Sequence, residues 1–261
     1  MLLHPTISKL EQMRLTGMAA ALRDQLSLPN VESMSFLDRL GLMVDHEEAV
    51  REDRRLARRL KTAKLHMQAS IPDIDYTPAR GLDQRVMLQL ASCQWIRRQQ
   101  NILITGPTGV GKSFIACALA HKACLENFST RYYRMHRLLD TLVVARSQQT
   151  HMKDFKQLAR TNVLILDDWG LHNIGQAQQR ELMELLDDRY MVSSTIVTSQ
   201  YPIDHWYETM ENPTLSDAIL DRLVNNAHKI ELTGESMRKI KAGQELSADS
   251  SQELSAGSSQ K

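Results

Sequence analysis

The sequence predicts an α/β chain, a doubly wound parallel sheet preceded by a small all-helical N-terminal domain. Three observations carry that expectation. Short apolar runs alternate with helical patterns along residues 101–200, as strands buried on both faces of a parallel sheet do. Residues 106–113 read Gly-Pro-Thr-Gly-Val-Gly-Lys-Ser, directly after one such run and directly before a helix. Residues 1–70, in contrast, read as helical throughout.

Taken in order, Leu15, Met18, Ala19, Leu22 and Leu26 form one apolar stripe, ended by Pro29-Asn30. A longer helix starts at Ser35, with Asp38 three residues on as a capping pair. Ala49, Leu56, Leu60, Ala63 and Met67 line its apolar face, and Arg51, Arg54, Arg58 and Lys61 fall opposite. Arg51 to Lys64 holds seven Lys or Arg against two acids. Such a run is usually only a solvated helix face, but this imbalance favours phosphate contacts to nucleic acid. Residues 71–100 read as a linker bracketed by Pro72 and Pro78, then a helix marked by Val86, Leu90 and Ile96.

The core spans 101–242, and Asn101–Thr105 is its first strand. Phe114, Ile115, Ala118 and Leu119 place a helix after the glycine loop, and Thr130–Tyr133 supplies a second strand. Helices over Leu138–Arg146 and Met152–Ala159 precede a third strand, Asn162–Asp168. A helix over Arg180–Tyr190 and a strand over Thr195–Gln200 follow. Residues 243–261 repeat Gln-Glu-Leu-Ser-Ala within a Gly/Ser/Gln-rich stretch too poor in apolar residues to pack, so a disordered tail is expected.

Gly106, Pro107, Thr108, Gly109, Val110, Gly111, Lys112 and Ser113 match the phosphate-loop pattern G-x-x-x-x-G-K-[ST] in its strand–loop–helix context. The glycines let successive N–H groups converge on an anion, and the helix N-terminus adds its dipole. Lys112 is expected to reach the β- and γ-phosphates of ATP, and Ser113 to hold Mg²⁺. Asp167 and Asp168 end a buried strand beside that loop. The pair could merely cap the turn begun by Trp169-Gly170, but downstream of a phosphate loop catalysis is favoured. Asp167 then joins the Mg²⁺ shell, and Asp168 serves as general base on the attacking water. Gln200 ends the strand expected next to these acids, and either touches the γ-phosphate or is an ordinary polar strand end. Arg222 either pairs with Asp221 on the surface or reaches a neighbouring subunit's γ-phosphate as an arginine finger.

The chain has 261 residues and a formal charge of +1, enough for one α/β core and an accessory domain, with charges too segregated for the net value to inform. Cys93, Cys117 and Cys124 lack C-x-x-C spacing, which argues against zinc and disulfides and for a reducing compartment. No stretch approaches the ~18 apolar residues of a membrane span, and His4, Pro5 and Lys9 stand where a secretory signal needs an apolar core. The expected location is the cytoplasm, with no membrane partner.

These residues together resemble the IstB family, AAA+ helper ATPases of bacterial insertion sequences and close relatives of the DnaC helicase loaders. The resemblance spans about residues 5–240. It rests on Arg14-Leu15-Thr16-Gly17-Met18-Ala19, Arg80-Gly81-Leu82-Asp83, residues 102–113, Leu164 to Leu171, Thr195 to Gln200, Asp217 to Leu223, and Gly234 to Lys239. It implies a P-loop NTPase of the AAA+ fold that assembles on double-stranded DNA with ATP as a bacterial homo-oligomer sharing its ATP sites. It further implies recruitment and stimulation of the transposase of the same element. By position, Gly106 to Ser113 are Walker A, Asp167 and Asp168 Walker B, and Arg222 the finger acting in trans. Gln200 takes the sensor-I place, where helicase loaders tend to carry Asn, and Arg238 resembles a sensor-II arginine. Asp168 departs from the Glu found in many AAA+ proteins, and the shorter arm implies slow intrinsic hydrolysis. The main alternative is a helicase loader that binds single-stranded DNA; a DNA-coating scaffold switched by ATP is another. Arg131, Arg134, Arg137 and Arg146 mark a further candidate DNA-contacting region.

Overall fold

The computed structural model describes residues 5–29, 33–148 and 151–239, so the expected tail lies outside the described residues. The chain divides into two compact units, Met1–Lys61 and Thr62–Lys261. The division falls earlier than the boundary near residue 70 read from the sequence.

In the first unit, α1 (Pro5–Gln12) packs on α2 (Thr16–Ser27), and α3 (Phe36–Ala63) is the long helix. Ser35 caps α3: its hydroxyl accepts the Asp38 N–H at 3.2 Å and donates to the Asp38 carboxylate at 2.7 Å. One buried carboxylate joins α2 to α3. Glu47 accepts the N–H groups of Gly17 (2.7 Å) and Met18 (3.1 Å), two donors that the first turn of α2 leaves unpaired. Arg51 closes the cluster with a 2.7 Å ion pair to Glu47. The helices touch so closely that a Cβ at residue 17 would lie 2.7 Å from the Glu47 Cα, which explains the glycine. Burial pushes the Glu47 carboxyl up, but Arg51 and the two amides outweigh it and hold the group below its usual range. The predicted stripes are only partly covered: Leu26 and Ala49 are exposed, and Met67 lies beyond the end of α3.

The second unit begins with the segment expected to be a linker. Ile71–Asp73 and Pro78–Arg80 are 3₁₀ turns, and Ala69, Ile74 and Leu82 are buried in the core. The single helix expected next is two, α4 (Gln84–Ala91) and α5 (Gln94–Arg97), separated by Cys93 in the left-handed conformation. Then come β1 (Asn101–Thr105), α6 (Lys112–Leu125), β2 (Thr130–Arg134), α7 (Met135–Ser147) and α8 (His151–Ala159). The chain continues as β3 (Val163–Trp169), α9 (Gln176–Arg189), β4 (Ser194–Ser199), α10 (Pro213–Val224) and β5 (Ala227–Glu231).

All strands run parallel in the order β2-β3-β4-β1-β5. Side-chain alternation divides the core between the two faces. Ile102, Ile104, Val163, Ile165 and Ile196 join α4, α5 and α6 on one face. Leu103, Leu164, Leu166 and Val197 join α7, α8, α9 and α10 on the other. This is the doubly wound sheet the sequence predicts, with β5 added at the edge. Arg189, 1% exposed, staples the sheet's lower rim: it donates to the carbonyls of Leu158 (2.7 Å), Thr161 (2.8 Å) and Ser194. All three cysteines are buried, and the Cys124 thiol lies 3.0 Å from the Thr130 hydroxyl. Among the described residues no helix is long and apolar enough to cross a membrane.

Candidate active site

The loop between β1 and α6 lies at the carboxyl end of β1, the strand that runs between β4 and β5. Gly106, Gly109 and Gly111 all adopt positive φ, at 142°, 87° and 99°, conformations that residues with side chains avoid. Lys112, 7% exposed, turns its ammonium back onto the carbonyls of Gly106 and Pro107, both at 2.8 Å. Burial pushes that ammonium below the usual lysine range, and the Asp168 and Asp167 carboxylates oppose the shift. A cleft of about 330 Å³ opens over the loop, within the ~300–1,000 Å³ typical of small-ligand sites. Lys112, Ser113, Asp168, Gln200 and Arg238 line it.

The two aspartates owe their shared outlook to a fault in the ladder. Consecutive strand residues normally face opposite sides. Here Leu166 pairs with Val197 and Trp169 with Ser199, so Asp167 and Asp168 together oppose the single residue Thr198. The bulge places Asp168 at φ 66° and breaks the alternation. Thr198 secures both: its hydroxyl accepts the Asp168 N–H at 3.1 Å and donates to the Asp167 Oδ1. Asp167, 2% exposed, also accepts from the Ser113 hydroxyl at 2.8 Å and the Tyr132 hydroxyl at 2.5 Å. Burial and Asp167 push the Tyr132 phenol well above its usual range, so it stays protonated and donating. Burial, then Asp167, raises the Asp168 carboxyl above the usual carboxylate range, against the pull of Arg134, Lys112 and His136. A raised pKa makes the carboxylate a stronger base.

The remaining predicted residues separate. Gln200 accepts from the Thr108 hydroxyl at 2.8 Å and so touches the phosphate loop itself. Arg238 reaches the cleft, where its charge is one cause of the lowered Lys112 pKa. Arg222 is not brought to the site. Its backbone carbonyl accepts from Asn101 at the start of β1, the end away from the loop, and its side chain pairs with Asp187 at 2.7 Å. Arg51, Arg54, Arg58 and Lys61 are exposed on α3 in the other unit, with Arg51 committed to Glu47. Arg146, in the second region suggested for DNA contact, pairs with Glu181 and Glu184. Tyr132 and Arg80 are site residues with no role assigned from sequence, and Thr198 is expected there only as one of the polar residues Thr198-Ser199-Gln200 that end the strand beside the acids. A tyrosine on an alternating strand carries no motif that would have marked it.

The donor set suits a nucleoside triphosphate with its magnesium: convergent loop amides, a lysine, and a serine hydroxyl 2.8 Å from a buried carboxylate. Proteins of known structure share the fold. DnaI matches with a TM-score of 0.54 at 21% identity, covering 65% of this chain and 90% of that one. The DnaC helicase loader matches with a TM-score of 0.52 at 15% identity, covering 66% of this chain and 100% of that one. Sheet order, loop and carboxylates define a P-loop ATPase of the AAA+ class. Within that class the chain belongs to the IstB-like ATP binding protein family, whose pattern matches residues 8–245. A Sinorhizobium fredii relative described as an insertion-sequence ATP-binding protein is 47% identical over 239 residues, covering 92% of this chain and 98% of the relative.

Proposed function

We propose that this ATPase is a transposition helper that assembles on double-stranded DNA with ATP and recruits the transposase of its own insertion sequence. The observation that carries the reading is a phosphate loop with its two carboxylates in one unit and a basic, exposed helix face in the other, in a family whose relatives are named for insertion sequences.

In this reading ATP lies along residues 106–113, with Lys112 against its terminal phosphates. Ser113 and Asp167 hold Mg²⁺, which when bound would neutralise phosphate charge. Asp168 takes the proton of the attacking water, and Gln200 orients the loop's Thr108 and the γ-phosphate. Arg222 faces away from its own site, so it serves the site of the next protomer in a homo-oligomer. Arg54, Arg58 and Lys61, with Arg51 in part, contact DNA phosphates.

Three to four such contacts give a log–log salt slope of roughly −2.7 to −3.6 for duplex binding. Affinity measured with ATP between low and moderate salt tests this. Salt-independent binding removes the basic stripe from the interface, and preference for single strands over duplex converts the reading to a helicase loader. An integrase-type recombinase encoded by the adjacent reading frame would support the transposase partner.

A further inference from the structure

Arg80 has no part in the chemistry above, yet it is only 7% exposed and lines the nucleotide cleft. Its Nη1 donates to the Asp75 carbonyl at 2.6 Å, and its Nη2 to the Val110 carbonyl at 2.7 Å. Its Nε is buried without a partner. Burying a guanidinium this deeply is costly unless its contacts serve the fold or the site. The Val110 contact serves the site. A trans peptide is planar, with its C=O and N–H pointing in opposite directions. The unit that carries the Val110 carbonyl also carries the Gly111 N–H. Pulling that carbonyl toward Arg80 therefore turns the Gly111 N–H away from Arg80, toward the inside of the loop.

We propose that Arg80 is a positioning residue of the ATPase site, which aims the Gly111 amide into the phosphate nest by holding the Val110 carbonyl. Two independent contacts agree with this. A Cβ at residue 111 would lie 2.8 Å from the Arg80 Nη2, so the loop is built to admit the guanidinium at this point. The main chain of the same turn anchors the segment after β5: the Arg80 carbonyl accepts the Thr233 N–H at 3.0 Å, and the Ala79 carbonyl accepts the Thr233 hydroxyl at 2.9 Å. That segment continues to Met237, whose N–H donates to the Gly109 carbonyl at 3.0 Å, and to Arg238 in the cleft. Gly109 and Val110 thus have successive carbonyls drawn outward by the two ends of one assembly.

The inference rests on ATPase activity and not on the DNA or transposase partners. Titration calorimetry with magnesium ATP, steady-state turnover and nucleotide-free thermal unfolding are compared for the parent, Arg80→Met and Arg80→Lys. Arg80→Met should raise Kd and KM for ATP about tenfold, the loss expected for one charge-assisted hydrogen bond. Turnover at saturating ATP should stay within about threefold, because Asp167 and Asp168 are untouched. Arg80→Lys should fall between, since an ammonium cannot fork to two carbonyls. An ATP Kd within twofold of the parent for Arg80→Met overturns the proposal, as does a turnover loss as large as the affinity loss. If Arg80→Met does not fold, Arg80→Lys decides: weakening of about threefold supports the proposal and a parental Kd overturns it. A parent that binds no ATP at all would instead overturn the ATPase assignment.

Discussion

Replacing Thr198 with valine keeps the shape of a fully buried side chain and removes only its hydroxyl. That hydroxyl is shared between the two carboxylate residues of the site: it donates to Asp167 and accepts the Asp168 N–H at 3.1 Å. Without it the Asp168 amide is stranded, at a cost of about 1–3 kcal/mol, and Asp167 loses one of three hydroxyl donors, a bond to a charged group worth a similar amount. The added methyl recovers part of this as apolar burial, leaving a net loss of about 2 kcal/mol. For a unit of this size the unfolding midpoint should fall by about 4–8 °C. The kinetic effect is larger in proportion, because a ~1 Å drift of a catalytic group can lower turnover about a hundredfold. Scanning calorimetry and a phosphate-release assay read the two effects separately. A valine variant with the parental midpoint and turnover within twofold refutes the idea that Thr198 fixes the bulge.

Lys112→Ala should abolish ATP binding in calorimetry, while Asp168→Asn should bind ATP and lose turnover by roughly 10²–10⁴-fold. Parental hydrolysis by Asp168→Asn would show that another group is the base. Arg222→Ala should be inactive alone, yet mixing it with Lys112→Ala should restore part of the phosphate release through junctions that receive one intact half from each protein. Full activity of Arg222→Ala alone rules out a shared site. For Glu47 the sign follows from its lowered pKa: its stabilisation is complete above the usual value near 4.5 and fades as pH falls through the lower, folded value. Glu47→Gln should remove that acid dependence and speed amide exchange at Gly17 and Met18, with about 1 kcal/mol lost as for a helix cap. Unchanged exchange would mean the contact stabilises nothing.

The strands that flank the site could be read because they are buried on both faces. Residues 101–105, 163–166 and 195–198 are uninterrupted apolar or β-branched runs, apart from Asn101 at the start. β5 could not be. As an edge strand it pairs only with β1, and only Ile230 in Ala227–Glu231 is buried, so no pattern sets it apart. Cys93 broke the predicted helix without glycine or proline to announce it, and Pro72 and Pro78 suggested a linker where the turns they shape carry Ile74 and Leu82 into the core. Within the site, the glycine loop and both acids were legible because phosphate chemistry restricts residue type and spacing. The bulge, the Thr198 bridge and the Arg80 contact were not: the strand of Thr198 is expected beside the acids, but its register against them, and the segment that meets Val110, are set only in three dimensions.

Residue 168 accepts its left-handed turn cheaply because it is aspartate; glycine and asparagine share that tolerance, whereas glutamate does not. The length of the acidic arm at this position is therefore dictated by the main chain beneath it. An attempt to quicken hydrolysis by grafting glutamate at this position would meet a torsional toll before any gain in reach.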